Sequence, residues 1–341
     1  MAKPKTPLTI SQAADEYLAA VKGNRSHKTF TSYRSALAAF KRSLAKTLPA
    51  SKTPVGSLTE EHVVAFAKTL GVKAQSTEKT YLTVIKDFYR YLSGRGLMIL
   101  NEDRLNLLLR PNVRRTPHRI PDYPHQQMDI VIDYALNLRK HRRPEGDQEL
   151  LIALRDRALL ITLADTGLRV SEITSLKRGD IDFNEARAVI IGKGNKQAVV
   201  RFSSRSLDVI RDYLRARGKQ DGKHGVPLDT LPVFTRHDQR GMSRPLAGIS
   251  AHTGWAIVKR VVIEALGEEG RDIKITPHSF RHYFVTKVLK ETDNLRIAQL
   301  LARHSSIATT QRYVHVQSTE LDTAFDSVFD NGGKPPKRRK A

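Results

Sequence analysis

Hydrophobic residues in the first hundred positions recur at the spacing of an α-helix. Between residues 27 and 44 they stand three and four positions apart, which places them on one helix face. They are Phe30, Tyr33, Leu37, Phe40 and Leu44. A similar stripe, between residues 81 and 92, is followed by the stop signals Gly94 and Gly96, and Thr59 can cap a third helix. These patterns predict a bundle of about four or five helices.

The later part of the chain mixes two periodicities. Helical patterns cover residues 126–138, 149–163, 206–217, 248–266, 277–290 and 296–301. Between them, residues 187–191 and 197–202 are predicted strands, joined by a turn at Gly192–Lys196. The polar segments 139–146 and 218–229 are predicted loops. The fold class is therefore mainly α with a small β-sheet, built as a helical domain followed by a mixed α/β domain.

Composition shifts mark the domain boundaries. Residues 1–110 form the helical domain, and residues 111–124 form a basic linker with four prolines, which stop helices and stiffen the connection. Residues 125–318 form the mixed domain. Residues 319–330 are a predicted C-terminal helix whose apolar face docks either on a neighbouring protomer or within its own domain. Residues 331–341 are a basic tail, predicted to be disordered.

Charge indicates a polyanionic partner. Lys plus Arg number 58 against 35 Asp plus Glu, a net charge of +23. Candidate DNA-backbone contacts lie on the predicted bundle, on the linker and beside the later motifs. They are Lys28, Arg34, Lys41, Arg42, Arg114, Arg115, Lys196 and Arg303. The chain has no cysteine, signal peptide or membrane-length apolar run, so we expect a cytoplasmic protein associated with the nucleoid.

Four short segments supply the residues that a tyrosine needs to attack a DNA phosphate. They are Thr166–Glu172, Gly192–Lys196, Thr276–His282 and Leu300–Tyr313. The phosphorane transition state gathers negative charge and requires preorganised cations, for which the planar, permanently charged arginine fork is suited. The leaving 5′-oxygen needs an acid, and a phenol of pKa ~10 needs a proton acceptor.

Local signals place some of these groups at helix starts. Thr276 is a natural N-cap, Pro277 fits the first helical position, and His278 and Arg281 then share a face where the helix dipole favours phosphate. His278 and His282 also have a spacing used by metal sites. No acidic residue lies between them and cysteine is absent, so we expect no metal.

As a set, these motifs closely resemble the tyrosine recombinases of the lambda-integrase and Xer type, over most of the chain. The resemblance implies that Arg169 and Arg281 clamp the scissile phosphate and that Tyr313 becomes the 3′-phosphotyrosine. It further implies that Lys193 protonates the departing 5′-oxygen and that His278 exchanges a proton with the tyrosine. His304 then hydrogen-bonds the phosphate, and Glu172 matches the acidic supporting position.

The order and intervals also agree with that family: 24 residues from Arg169 to Lys193, 23 from Arg281 to His304, and 9 from His304 to Tyr313. Lys196 remains a rival for the lysine role. One departure is Arg303, because relatives commonly carry glycine just before this histidine. The arginine puts the local turn in doubt and could add a phosphate contact.

The resemblance implies a SAM-like core-binding domain and a catalytic domain that form a C-shaped clamp on double-stranded DNA. It implies a homotetramer on paired recombination sites, a monomer or weak oligomer off DNA, and a Holliday-junction intermediate, with accessory proteins as further partners. The phosphodiester energy is stored in the tyrosyl link, so we expect no cofactor. Two alternatives remain: strand relaxation of the type IB topoisomerase kind, and a catalytically silent DNA-binding relative.

Overall fold

A computed structural model shows two compact units, Met1–Arg119 and Ile120–Ala341. The structure describes residues 7–45, 47–114, 123–191, 197–222, 225–237 and 247–303. The turn at 192–196, the predicted C-terminal helix and the basic tail lie outside the described residues, as do Lys193, Lys196, Arg115, His304 and Tyr313.

The first unit is a helical bundle. Its helices are α1 (Ile10–Asn24), α2 (His27–Leu44), α3 (Glu60–Thr69), α4 (Gln75–Gly94) and α5 (Glu102–Leu109). The predicted stripe on α2 is confirmed, since Leu37, Phe40 and Leu44 are buried in the core of this unit. The predicted stop after α4 is also confirmed, because the helix ends at Gly94 and Gly96 adopts φ 68°.

Aromatic rings fill the centre of this bundle. Phe40 meets Phe66 edge to face, with ring centroids 5.3 Å apart, and Tyr17 lies 5.4 Å from Phe88. The buried Tyr89 hydroxyl donates to the Thr59 carbonyl at 3.1 Å. Lys28, Arg34 and Arg42 of α2 remain exposed and Lys41 is half-buried, so the basic side of this helix stays accessible.

Arg114, in the predicted linker, is held by protein groups. Its Nε donates to the Glu78 carboxylate at 2.7 Å, and its Nη2 donates to the Lys73 carbonyl at 2.6 Å. The Glu78 side chain is only 2% exposed, so Arg114 supplies the counter-charge that its burial requires. The side chain of Arg114 is therefore packed against α4 and the residue Lys73 that precedes it.

The second unit surrounds one buried helix. It contains α6 (His125–Leu136), α7 (Leu138–Arg142), α8 (Asp147–Thr166), α9 (Val170–Thr174), α10 (Ser204–Asp221), α11 (Ala251–Leu266), α12 (Glu269–Asp272), α13 (Pro277–Thr292) and α14 (Leu295–Ala302). Helix α8 is buried along most of its length and packs against α6, α7, α10 and α13. Residues 158–164 of this helix are apolar except for Thr162, and the buried Asp156 is paired with arginines.

A three-stranded antiparallel sheet lies between α9 and α10. Its strands, β1 (Ile181–Asp182), β2 (Arg187–Ile191) and β3 (Gln197–Arg201), pair in chain order. Ile191 pairs with Gln197, and Arg187 pairs with Arg201. The two predicted strands and their antiparallel pairing are confirmed. No helix in the described residues is long and apolar enough to cross a membrane.

Segment 139–146 was predicted as a loop, and this prediction is wrong for its first half, which forms α7. The reason is a long-range ion network. Arg142 Nη1 donates to Asp156 at 2.7 Å, and its Nε donates to Glu264 at 3.0 Å. Asp156 is fully buried and also accepts from Arg155 and Arg260, so this network anchors α7 and α11 to α8.

Candidate active site

The end of α8 turns sharply into the segment that carries Arg169. Gly167 ends the helix in the left-handed region, at φ 59°. A Cβ at this position would lie 2.6 Å from the Phe284 ring of α13, so glycine is required by both conformation and space. The chain then enters α9, with Arg169 at its N-cap position.

Glu172 holds Arg169 from two sides. Its Oε2 accepts the Arg169 backbone N–H at 2.9 Å, and its Oε1 accepts Arg169 Nη1 at 2.6 Å. The Glu172 side chain is 7% exposed, whereas that of Arg169 is 46% exposed. The carboxylate therefore fixes an arginine whose guanidinium is still accessible to a ligand. These hydrogen bonds, with the charges of Arg303 and Arg169, hold the pKa of Glu172 below its ordinary value against the effect of burial.

Close packing against α11 fixes the position of α9. Gly254 of α11 faces α9, and a Cβ there would lie 2.8 Å from Val170 Cγ2 and 3.3 Å from Thr174 Cγ2. Glycine thus lets the two helices approach closely. This packing sets the position of α9, which contains Glu172 and begins after Arg169.

Helix α13 brings the second arginine and a histidine. Thr276 is its N-cap and Pro277 its first residue, as predicted; the Thr276 N–H donates to Ser279 Oγ at 3.0 Å. One turn of helix places His278 at the surface and Arg281 in the interior, where it is only 2% exposed.

Arg281 ties three segments of the chain together. Its Nη1 donates to the Gly167 carbonyl at 2.6 Å, and its Nη2 donates to the Ala302 carbonyl. Both carbonyls lie at helix C-termini, where orphan acceptors and the helix dipole favour a cation. The buried guanidinium therefore connects the end of α8 and the end of α14 to α13.

The electrostatic setting favours a neutral His278. Partial desolvation lowers the pKa of its imidazole below the ordinary value, and the positive charges of Arg281 and Arg169 lower it further. At pH 7 this imidazole is therefore neutral and able to accept a proton.

Arg303 joins this group from the end of α14. It adopts φ 56° and ψ 44°, and its Nη2 donates to Glu172 Oε2 at 3.1 Å. Its side chain is 11% exposed. Burial and the nearby Arg169 lower the pKa of Arg303, and Glu172 opposes this effect. Its position in the protein interior differs from the surface DNA contact considered from sequence.

The structure thus brings together Arg169, Glu172, His278, Arg281 and Arg303. Sequence reasoning missed the supporting contacts, above all the carbonyls of Gly167 and Ala302 and the ring of Tyr123. That ring stacks on His282 with centroids 4.1 Å apart, and its hydroxyl donates to the Ser279 carbonyl at 3.1 Å. Of these contacts, the sequence offers a signal only for the Gly167 carbonyl, because a glycine after Thr166 is typical of a left-handed helix cap.

Sequence comparisons identify the family. Residues 147–320 match the phage integrase family, and residues 14–96 match the phage integrase N-terminal SAM-like domain. The chain is 31% identical to tyrosine recombinase XerC of Pelobacter propionicus over 262 residues, covering 76% of each chain. It is 30% identical to tyrosine recombinase XerD of Yersinia pestis over 252 residues, covering 74% of each.

The chain belongs to the tyrosine recombinase family. It is therefore an enzyme of site-specific DNA recombination, and neither alternative drawn from the sequence is favoured. Solved recombinases share its fold. XerH bound to its difH substrate gives a TM-score of 0.64 at 18% identity, over 93% of this chain and 84% of that one. Tn1549 integrase with transposon right-end DNA gives 0.66 at 14% identity, over 94% and 99%.

Replacing Gly167 tests the turn that presents Arg169. Gly167→Ala should destabilise the second unit by roughly 2–4 kcal/mol, because it adds left-handed strain to a clash with Phe284. Urea unfolding followed by fluorescence of Trp255, the single tryptophan, reports this unit directly. Gly218→Ala in α10 is the matched control: no neighbour lies within 4 Å of the added Cβ, so it should be neutral or stabilise by up to about 1 kcal/mol. Equal effects of the two substitutions would contradict this account.

His278 should titrate below pH 6.5 in the DNA-free protein. NMR of the histidine ring protons gives its pKa, and His278→Gln assigns the signal. Because Arg169 lowers the pKa of His278, Arg169→Gln should raise it towards the ordinary value. Arg211→Gln, which removes an exposed charge from α10, should leave it unchanged. A pKa at or above 6.5 in the unmodified protein would refute the neutral-histidine assignment.

Proposed function

We propose that this recombinase cuts DNA by attack of the Tyr313 hydroxyl on a phosphodiester and rejoins it by the reverse attack. The observation that carries the proposal is the convergence of Arg169, His278 and Arg281 from two different helix starts. Arg281 donates to the carbonyl of Gly167, two residues before Arg169, and His278 lies one helical turn before Arg281. The two arginines satisfy the main electrostatic requirement of phosphoryl transfer, which is fixed positive charge around the phosphorus, and His278 beside them is available to accept a proton.

Each residue takes a role that its environment supports. Arg169 and Arg281 bind the non-bridging oxygens of the scissile phosphate, where negative charge accumulates. Neutral His278 accepts the proton as the Tyr313 oxygen bonds to phosphorus. The bond to the 5′-oxygen breaks, and Lys193 protonates that oxygen. His304 donates a hydrogen bond to the phosphate, and Glu172 keeps Arg169 oriented.

The products of the first step are a 3′-phosphotyrosyl link and a 5′-hydroxyl end. One phosphoester is exchanged for another, so no high-energy cofactor is required. When the 5′-hydroxyl of a second duplex attacks the link, the strands exchange through a Holliday junction, and the tyrosine is regenerated. Repeating the exchange on the other strands completes integration, excision or resolution.

The partner is double-stranded DNA with paired recombination sites. We place a helical core-binding domain at residues 1–110, a linker at 111–124, a catalytic domain at 125–318 and a C-terminal helix at 319–330.

We further propose a homotetramer on DNA, a monomer or weak oligomer otherwise, and a cytoplasmic, nucleoid-associated location. Accessory proteins would select the direction of recombination, that is, integration or excision. A dimer of lambda integrase on a core site, similar in fold at TM-score 0.59 and 15% identity over 97% of this chain and 99% of that one, supports the assembly on DNA.

A nicked suicide substrate tests the nucleophile. The nick lets the short strand beyond the cleavage point diffuse away, so the covalent protein–DNA adduct accumulates and is seen by denaturing gel. Tyr313→Phe should abolish the adduct because it removes the attacking oxygen. Tyr134→Phe, in α6 of the same unit, should retain it. An adduct formed by the Tyr313→Phe protein would rule out this assignment.

Salt dependence tests the basic surface. With a net charge of +23, binding to duplex DNA should weaken by about 10³-fold or more between ~50 and ~200 mM salt, because released counterions drive it. Arg34→Gln on α2 should reduce the slope of log affinity against log salt by about one. Arg114→Gln should change the slope less, since its guanidinium is bonded to Glu78 and Lys73. An affinity that does not depend on salt would contradict the basic-face interpretation.

A further inference from the structure

Arg303 occupies a backbone position that disfavours it. The residue closes α14 in the left-handed region, at φ 56°, where a side chain crowds the backbone and glycine does not. Its neighbour Ala302 cannot shift easily, because the Ala302 carbonyl accepts from the buried Arg281. The strain at Arg303 is therefore imposed by the same interactions that build the site.

The side chain of Arg303 adds two further unfavourable features. It is 11% exposed, so a permanent charge is largely desolvated. Its Nε and Nη1 are buried and have no hydrogen-bond partner among the described residues. Backbone strain, desolvation and unsatisfied donors all oppose folding. Against these costs, the contact that the Arg303 guanidinium makes within the described residues is its ion pair to Glu172.

Glu172 is shared between two arginines. Its Oε1 accepts Arg169 Nη1 at 2.6 Å, and its Oε2 accepts both the Arg169 N–H at 2.9 Å and Arg303 Nη2 at 3.1 Å. With Arg169 alone, the carboxylate would form a neutral pair and weaken the attraction of Arg169 for a phosphate. Arg303 leaves the three-residue group with one net positive charge.

We propose that Arg303 is a positioning residue that locks Glu172 and offsets its charge, so that Arg169 is presented to the scissile phosphate both rigid and cationic. The inference rests on the proposed function, in which Arg169 binds that phosphate. It assigns Arg303 an action through Glu172 and Arg169, without a DNA contact of its own.

Arg303→Gly separates stability from activity. Removing the strain and the buried charge should raise the melting temperature of the second unit by about 2–4 °C, followed by Trp255 fluorescence. The rate of covalent adduct formation at saturating DNA should nevertheless fall about tenfold. Arg303→Lys keeps the charge and should recover part of the rate. A melting temperature that falls in Arg303→Gly would mean that the residue is structural, and would overturn the inference.

DNA binding distinguishes positioning from direct phosphate binding. If the Arg303 guanidinium bound a DNA phosphate itself, Arg303→Gly would reduce the slope of log affinity against log salt by about one. The inference requires that this slope stay the same while the cleavage rate falls. A slope reduced by one would overturn it in favour of direct binding to the DNA backbone.

A double-mutant cycle tests the route through Glu172. If Arg303 acts through this carboxylate, Arg303→Gly should lower the cleavage rate much less in a Glu172→Gln background than in the unmodified protein. Rate losses that simply multiply would show that the two residues act independently, which overturns the inference. An unmodified protein that forms no adduct would refute the proposed function. The sign of the melting-temperature change in Arg303→Gly would still decide whether Arg303 is held at the expense of stability.

Discussion

The buried guanidinium of Arg281 is the interaction on which the site depends. It binds the carbonyl at the end of α8 and the carbonyl at the end of α14, and it sits itself on α13. Two helix C-termini carry partial negative charge, so a single cation holds both. These termini lead directly to Arg169 on one side and Arg303 on the other. Arg281 thus holds together the two chain segments from which Arg169 and Arg303 extend.

Arginines placed close together repel one another. The groups beside them limit this repulsion in two ways. One carboxylate, Glu172, binds two of the arginines and is itself kept ionised by them. For His278, desolvation and the positive charges of Arg281 and Arg169 lower the pKa of the imidazole, which favours its neutral form. In the proposed reaction, the charges that bind the phosphate also favour the neutral imidazole that accepts the proton.

Sequence patterns predicted most of the architecture because most of it is locally encoded. The stripe on α2, the stop after α4, the two strands and the N-cap of α13 each depend on residues within a few positions of one another. Helix α7 was missed because its polar sequence is stabilised by Asp156 and Glu264, which lie 14 and 122 residues from Arg142. Likewise, Arg303 and Glu172 are in contact although they lie 131 residues apart in the sequence, so no local sequence pattern predicts this contact.

The two left-handed residues beside Arg281 show how a fold treats the same backbone strain differently. At Gly167 the Phe284 ring leaves no room for a side chain, so the position is decided by packing and glycine satisfies it. At Arg303 the backbone geometry is the same, yet the position carries a long cationic side chain that binds Glu172. Packing therefore does not explain why an arginine stands at position 303. Its ion pair with Glu172 does. Because a buried ion pair is weak evidence for stability, the placement of Arg303 supports the positioning role proposed for it, in which backbone strain accompanies a fixed positive charge beside Glu172.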